Sequence, residues 1–239
     1  QKWKGCMMMN GVKIGDKHSY DDFGLILSVK EISPPEPQIN LIDVPMRDGS
    51  IDLTETLSED VKYKDRTIKL TFAVIDPVNT WYAKISTINN YIHGKRLKIV
   101  FDDDASFYYI GRVAVDDWTS DKNIGKLVVK CTVDPFKYDM ISSAVDWEWD
   151  LFDFEDGIIN ETGGLVVNGS TTIKLICRRK RMFPVFTASA AMTVSYDGEV
   201  YNLKEGSQKI YDIFFCEGEN ELTFTGNGTI SVDYTGGSL

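Results

Sequence analysis

Residues 41–74 read LIDVPMRDGSIDLTETLSEDVKYKDRTIKLTFAV, a turn, a charged segment and an alternating strand in one fixed order. Asp48-Gly49 tolerates positive φ, so this pair predicts a two-residue β-hairpin turn between the strand QINLIDVP and the returning segment SIDL. From Thr67 to Ile75, apolar and polar side chains alternate, which predicts a strand with one buried face. This part of the chain is therefore expected to be β-rich.

A single helix is predicted after this strand. Asp76-Pro77 breaks the strand and suits the first turn of a helix, and Gly94 ends it. The apolar positions between them recur at steps of four, three and four residues, as expected for one buried stripe: Trp81, Ile85, Ile88 and Ile92. Further strands are predicted in GLILSVKEI, in the segments starting at Leu97 and Phe107, and in KLVVKCTV.

The chain is expected to form two domains, because 239 residues suffice for two cores of ordinary size. Alternation is lost in DPFKYDMISS, residues 134–143, where turn residues accumulate. We therefore assign residues 1–138 to a first domain and residues 139–239 to a second. In the second, the predicted strands are LVV, TIKLIC, AMTVSY, EVYNL, QKIYDIFF, ELTFTG and TISVDY. The turns NGST, YDGE, EGEN and GNGT separate them, which is typical of a sandwich or jelly roll.

Composition excludes several functions. The net charge of −10 opposes binding to nucleic acid or to an anionic membrane. No apolar run reaches the roughly 20 residues of a membrane helix, and QKWKGCMMM lacks the apolar core of a signal peptide. We therefore expect a soluble protein made inside a cell. The scattered cysteines contain no C-x-x-C pair, which argues against zinc or dense disulfides: Cys6, Cys131, Cys177 and Cys216. Cys131 lies in the apolar phase of its strand, as a small buried residue would.

Candidates for catalysis are weak. Three consecutive carboxylates, residues 102–104, would converge poorly on one metal ion, and no histidine is close in sequence, so a solvated hairpin tip is the favoured interpretation. His18 and His93 lie in no nucleophile motif and are expected at the surface or a helix end. Nucleotide-binding loops are missing from the sequence, although a pair of glycosidase carboxylates cannot be recognised from sequence spacing. We expect no enzyme and no cofactor.

Two other features have competing interpretations. The basic run of residues 178–181 would suit a docking contact or nucleic acid, but a charged hairpin loop between strands is the simpler interpretation. Trp147 and Trp149 share one strand phase, so they would either fill a sandwich core or interface, or stack on sugar rings.

Several segments in a fixed order resemble the distal tail proteins of long-tailed phages: GVKIGDKHSYDDFGLIL, ISPPEP, PMRDGSIDLTETL, YKDRTIKLTF, GKRLKIVFDDDASFYYIGR, VKCTVDPFKY and TISVDYTGGSL. The resemblance implies a mainly β protein of two β-sandwich domains, the first tail-tube-like with one helix and the second galectin-like. It also implies a structural hub at the virion tail tip, made in the cytoplasm of a bacterial host, in which six copies close a ring. The implied partners are other copies of the chain, the tail-tube protein, a tail-tip or tail-associated protein, and a receptor-binding protein.

The stretch from Pro45 to Arg66 carries both charge signs, and a head-to-tail ring needs complementary patches on each subunit. Its candidate subunit-interface residues are Arg47, Asp48, Lys64 and Arg66.

Two alternatives to a hub remain. A carbohydrate-binding module for host glycans would use exposed aromatic residues, for which the candidates are Trp147, Trp149, Tyr196 and Tyr201. The galectin sugar site requires a histidine, and none follows His93, so the resemblance does not extend to lectin activity. A tail-associated hydrolase would need a catalytic cleft.

Overall fold

The computed structural model describes residues 11–56, 60–74, 81–120, 125–140, 143 and 162–239. The chain separates into two compact units. Residues 1–104 and 109–135 form the first unit, and residues 105–108 and 136–239 form the second. The described residues are mainly β with one α-helix, as predicted. Among these residues, no helix is long and apolar enough to cross a membrane.

The first unit is a seven-stranded antiparallel sheet with the order β2-β1-β7-β8-β9-β6-β3, together with helix α1 and a separate two-stranded ribbon, β4-β5. Its elements are β1 (Val12–Ile14), β2 (Lys17–His18), β3 (Leu25–Ile32), β4 (Leu41–Ile42), β5 (Ile51–Asp52), β6 (Arg66–Val74), α1 (Trp81–Ile92), β7 (Lys95–Phe101), β8 (Phe107–Ser120) and β9 (Gly125–Val133).

The core of the first unit follows the predicted periodicities. Along β6 the alternate residues are buried, namely Ile68, Leu70, Phe72 and Val74. The predicted apolar stripe of α1 is also buried. Helix residues Ile85, Ile88 and Ile92 belong to the same apolar cluster as these β6 residues. The predicted helix and strand are therefore confirmed within the described residues, while Asp76-Pro77 lies outside them.

The predicted two-residue turn at Asp48-Gly49 is wrong. Strands β4 and β5 pair only as Leu41 with Asp52 and Ile42 with Ile51, so residues 43–50 form a longer loop between them. QINLIDVP accordingly contributes a two-residue strand rather than a continuous one. Asp48-Gly49 does lie in a turn region, where Gly49 has φ +77°. However, these two residues do not join the two strands directly.

The second unit contains a six-stranded antiparallel sheet with the order β14-β13-β16-β12-β15, and β11 also pairs with β16. The strands of this unit are β10 (Lys137–Asp139), β11 (Leu165–Cys177), β12 (Val185–Ala188), β13 (Met192–Tyr196), β14 (Glu199–Leu203), β15 (Gly206–Lys209), β16 (Gly218–Asp233) and β17 (Gly237–Ser238). Strand β10 pairs with β17 and with the start of β8, where Tyr138 lies opposite Tyr108. The second unit thereby includes residues 105–108, which lie within the first of the two sequence-predicted domains.

Several of the predicted turns in the second unit are strand instead. NGST lies inside β11 and GNGT inside β16, and the two segments face each other in one long ladder in which Gly169 pairs with Gly226. A Cβ on Gly226 would lie 2.7 Å from the Met192 Cβ, so this glycine permits close strand packing rather than chain reversal. EGEN also runs into β16. The YDGE turn is confirmed, because Asp197 and Gly198 both have positive φ between β13 and β14.

Limited proteolysis should cut first between Asp134 and Val145 and leave two resistant fragments. The expectation rests on the loss of strand alternation in this part of the sequence, since irregular exposed backbone is where proteases enter. The cuts should fall outside β10 (Lys137–Asp139), which pairs with strands on two sides. Mass spectrometry of the early products would locate the cuts. First cuts within β6, or one fragment that resists cleavage throughout, would contradict this division.

Candidate assembly surfaces

A two-stranded arm lies between β3 and β6 in the chain, and its described residues are 33–56 and 60–65. Its two sides are joined by backbone hydrogen bonds, in which Lys64 N–H donates to Glu36 C=O (2.8 Å) and Gln38 N–H donates to Lys62 C=O (2.7 Å). Further along, β4 and β5 pair with each other and belong to a two-stranded sheet of their own. The arm is therefore a ribbon that continues the β3–β6 pair without joining the main sheet through β4 or β5.

The arm exposes an unusual amount of apolar surface. Its exposed apolar side chains are Ile39, Leu41, Ile42, Val44 and Met46. Leu41 is 56% exposed and its neighbour Ile42 is 46% exposed, although successive strand residues point to opposite faces. Isolated two-stranded ribbons are marginal in water, and contiguous exposed apolar residues mark interaction sites. Both faces of this ribbon therefore have the character of a docking element.

The loop that joins β4 to β5 carries two of the predicted interface residues, Arg47 and Asp48. Both are exposed, and Arg47 N–H donates to Val44 C=O (3.2 Å). Met46, fully exposed, has φ +66°, a conformation that is uncommon for a residue other than glycine. Lys64 lies at the other end of the arm, with its Nζ 3.1 Å from Glu36 Oε2. These charges are thus spread along the arm rather than brought together.

Arg66 does not project from the arm, so its expected position is wrong. It is the first residue of β6, is 5% exposed, and holds its guanidinium 5.6 Å from the centre of the Tyr109 ring. Burial lowers the pKa of Arg66, and the nearby Tyr109 opposes this shift. Its Nε and Nη2 have no hydrogen-bond partner among the described residues. Arg66 is part of the folded unit, whereas Arg47, Asp48 and Lys64 remain predicted interface residues.

The acidic turn of residues 102–104 is a single 3₁₀ turn whose carboxylates have different partners. Asp102 accepts a hydrogen bond from Gly11 N–H (2.8 Å), while Asp103 is ion-paired with Lys30. No histidine is close to this turn in the sequence, but the fold brings one to it, with His18 Nε2 3.1 Å from Asp102 Oδ2. Its other ring nitrogen is 3.2 Å from Asp21. The contact between His18 and Asp102 joins the end of β2 to the turn after β7.

The thiols and His93 have ordinary structural positions. Burial raises the pKa of Cys131 to about 12 and that of Cys177 to about 11, which suppresses thiolate chemistry. Cys216 is exposed, and Cys6 lies outside the described residues. His93 follows α1 and accepts a hydrogen bond from Val115 N–H (3.1 Å). In the described part of the chain, no three His, Cys, Asp or Glu side chains are arranged to hold a metal ion.

An open hollow of about 420 Å³ lies beside the end of α1. It is lined by Asn89, Asn90, His93 and Val115. This lining includes no carboxylate and no hydroxyl or thiol nucleophile. The hollow therefore gives no support to a hydrolytic site.

The basic run of residues 178–181 is not a hairpin loop. It links β11 to β12, which both pair with β16 rather than with each other. Arg178 Nε lies 3.4 Å from Asp139, and Lys180 Nζ lies 4.3 Å from the centre of the Tyr138 ring. Burial raises the pKa of Asp139, and the charge of Arg178 opposes that shift. These cations are tied to neighbouring groups instead of forming a free basic loop.

The aromatic residues predicted for glycan stacking do not form an exposed platform within the described residues. Tyr196 is half-buried, and its hydroxyl donates to Phe214 C=O (2.6 Å). Tyr201 is also partly buried and packs against the second core. Trp147 and Trp149 lie outside the described residues.

An exposed aromatic patch was missed by sequence reasoning. It comprises Phe183, Lys209, Tyr211 and Phe214, together with Arg181. Phe183 is 41% exposed and Tyr211 is 72% exposed, with their ring centres 6.3 Å apart. The Lys209 Nζ lies 5.3 Å from the centre of each of these two rings. Phe183-Pro184 and the YDIFF segment were visible in the sequence, but only the fold brings them together.

The fold of this chain is similar to that of a solved phage hub protein. The solved structure of the Dit protein (gp 19.1) of phage SPP1, described as a paradigm of the hub adsorption apparatus in phages that infect Gram-positive bacteria, superposes with a TM-score of 0.64. The match covers 96% of this chain and 99% of that chain, at 15% sequence identity. Neither a protein-family model nor a curated protein matches the sequence. The fold class expected from the resemblance, mainly β with Dit-like β-sandwich domains, is confirmed.

Proposed function

We propose that this protein is a structural hub of a phage tail. In this role it connects the tail tube to the tail-tip proteins that recognise the host, and six copies close a ring. The observation that carries the proposal is the similarity to the Dit protein over 96% of the chain, which includes both compact units. In this assignment the first unit is the tail-tube-like ring domain and the second is a galectin-like domain that holds tail-tip or receptor-binding proteins.

The exposed arm supports the ring. In a cyclic assembly each subunit uses two different surfaces, one of which must fit the other on the next copy. A ribbon with apolar side chains on both faces gains most when it is covered on both sides, as it would be between neighbouring subunits. We therefore assign the arm to the contact between subunits, with Leu41, Ile42 and Met46 as its apolar anchors.

The charges of the arm would set its orientation in that contact. Arg47 and Asp48 occupy the loop between β4 and β5, and Lys64 pairs with Glu36 near the base. Exposed ion pairs add little to stability, but charge complementarity excludes wrong registers and wrong partners. The apolar residues supply the affinity and the mixed charges supply the specificity.

The proposed role requires no catalysis. Within the described residues Cys131 and Cys177 are buried, the two histidines are engaged structurally, and no carboxylate, hydroxyl or thiol lines the hollow beside α1. The carbohydrate-binding alternative gains no support, since Tyr196 and Tyr201 turn toward the second core.

Immunogold labelling tests the location. Antibodies raised against the purified protein should place gold at the distal end of the tail on phage particles that carry this chain, close to the junction of tube and tip. Antibodies against the major tail-tube protein, which should label along the tail, are the matched control. Label along the whole tail, on the capsid or on no particle would contradict the hub assignment.

A further inference from the structure

The aromatic patch of the second unit has the composition of a protein docking site. Phe183 and Tyr211 are exposed and together present a large apolar area, and Phe214 is partly exposed. Aromatic residues and arginine are enriched among the residues that dominate binding energy at protein interfaces. Phe183 packs against both Tyr211 and Phe214, each at a centroid distance of 6.3 Å, so the rings already form one surface.

The cations of the patch specify the charge of the partner. Lys209 Nζ lies over two rings, and no carboxylate of the described residues forms an ion pair with it. The Arg181 guanidinium lies 3.4 Å from the centre of the Phe214 ring. Lys209 places an exposed positive charge beside these rings on a protein of net charge −10, and a partner carboxylate would pair with it.

The backbone beside the patch is open to an additional strand. The patch lies at the end of the β12–β15 pair, where Val185 is paired with Lys209. Strand β15 ends the order β14-β13-β16-β12-β15, so its outer edge is unpaired among the described strands. An extended segment can add to such an edge through main-chain hydrogen bonds, while its side chains enter adjacent pockets.

We propose that the patch and the β15 edge bind an extended protein segment that carries a carboxylate next to an apolar side chain. The carboxylate meets Lys209, and the apolar side chain packs against Phe183 and Tyr211. A neutral sugar fits less well, because it offers no opposite charge to the Lys209 ammonium that lies 5.3 Å from the centre of each ring. The inference rests on the proposed hub role in one respect only: that role identifies a neighbouring tail protein as the source of the bound segment.

The probe for this site is a library of random dodecapeptides displayed on yeast and selected on the full-length protein. The selected peptides should be enriched in Asp or Glu beside Leu, Ile, Val or Phe. Lys209→Glu and Tyr211→Ser should each weaken their binding by about tenfold or more, as expected at an interface hot spot. Lys204→Glu and Val200→Ser, which change an exposed lysine and an exposed valine of the same unit, should have no effect.

Selected peptides that bind Lys209→Glu and Tyr211→Ser as well as the parent would overturn the proposal. A glycan array provides the other arm: sugar binding that is lost in these two variants, with no patch-dependent peptide, would also overturn it. Both changed residues are exposed, and the melting temperature of each variant verifies folding. Because peptide selection does not require ring closure, its outcome is separate from that of the ring experiments.

Discussion

Removal of the outer arm should abolish ring assembly and leave a folded subunit. The variant joins Gln38 to Lys62 through Asn-Gly, replacing residues 39–61. Gln38 N–H donates to Lys62 C=O (2.7 Å), so this pair can flank a two-residue turn. The first core contains no residue of the removed segment, and its melting temperature should therefore change little. Electron microscopy and light scattering at high concentration would measure assembly.

Val200→Ser is the matched control, because it removes an exposed apolar side chain from the second unit. Arg47→Glu is the milder version of the arm change and should weaken assembly without abolishing it. Rings formed by the arm-deleted protein would refute the assigned contact. A large fall in the melting temperature of the arm-deleted protein would instead show that the arm stabilises the first unit.

Arg66→Glu should destabilise the first unit rather than affect assembly selectively. The new carboxylate would replace a guanidinium that is 5% exposed and stacked near Tyr109. Burial raises the pKa of Tyr109, and the charges of Asp104 and Asp103 add to that shift, so this region already disfavours negative charge. Placing an unpaired carboxylate there should cost about 3 kcal/mol of the free energy of unfolding, which is roughly 10 °C in Tm. Calorimetry of the purified variants would measure the change.

Arg66→Met is the matched control. It keeps a flexible apolar chain of similar reach and removes a buried charge that is incompletely hydrogen-bonded, so its stability should lie within about 1 kcal/mol of the parent. A stable Arg66→Glu protein that fails only in ring formation would restore Arg66 to the subunit contact. Comparing both variants with Arg47→Glu separates folding from assembly.

Periodic elements could be predicted from the sequence because their burial is local. The steps between Trp81, Ile85, Ile88 and Ile92 suffice to define one buried helix face, and the alternation along β6 defines one strand face. YDGE was predictable for the same reason, since Asp197 and Gly198 supply the positive φ of a tight turn. These features require no knowledge of distant residues.

Features that depend on distant pairing were predicted poorly. NGST and GNGT have turn composition, yet Gly169 and Gly226 meet in a long ladder between β11 and β16, where glycine allows close packing. Arg66 ends a charged segment in the sequence but is covered by groups such as Tyr109. His18 lies beside Asp102 only because β1 pairs with β7.

The candidate surfaces show the same division. The charges of the arm were visible in the sequence, whereas its exposed apolar side chains were identified only from the structure. The sequence pattern of residues 39–44 does not show that both faces of the ribbon are exposed. In the aromatic patch, Phe183 precedes β12, Lys209 ends β15 and Tyr211 follows β15. The pairing of β12 with β15 brings these residues together. Neither surface has a sequence motif of its own.

The central claim is tested most directly by electron microscopy of the unmodified protein, prepared at high concentration and, in parallel, mixed with its tail-tube protein. We expect class averages of a closed ring with six-fold symmetry in at least one of these preparations. Monomers in both preparations, or closed particles of a different symmetry, would contradict the six-subunit hub.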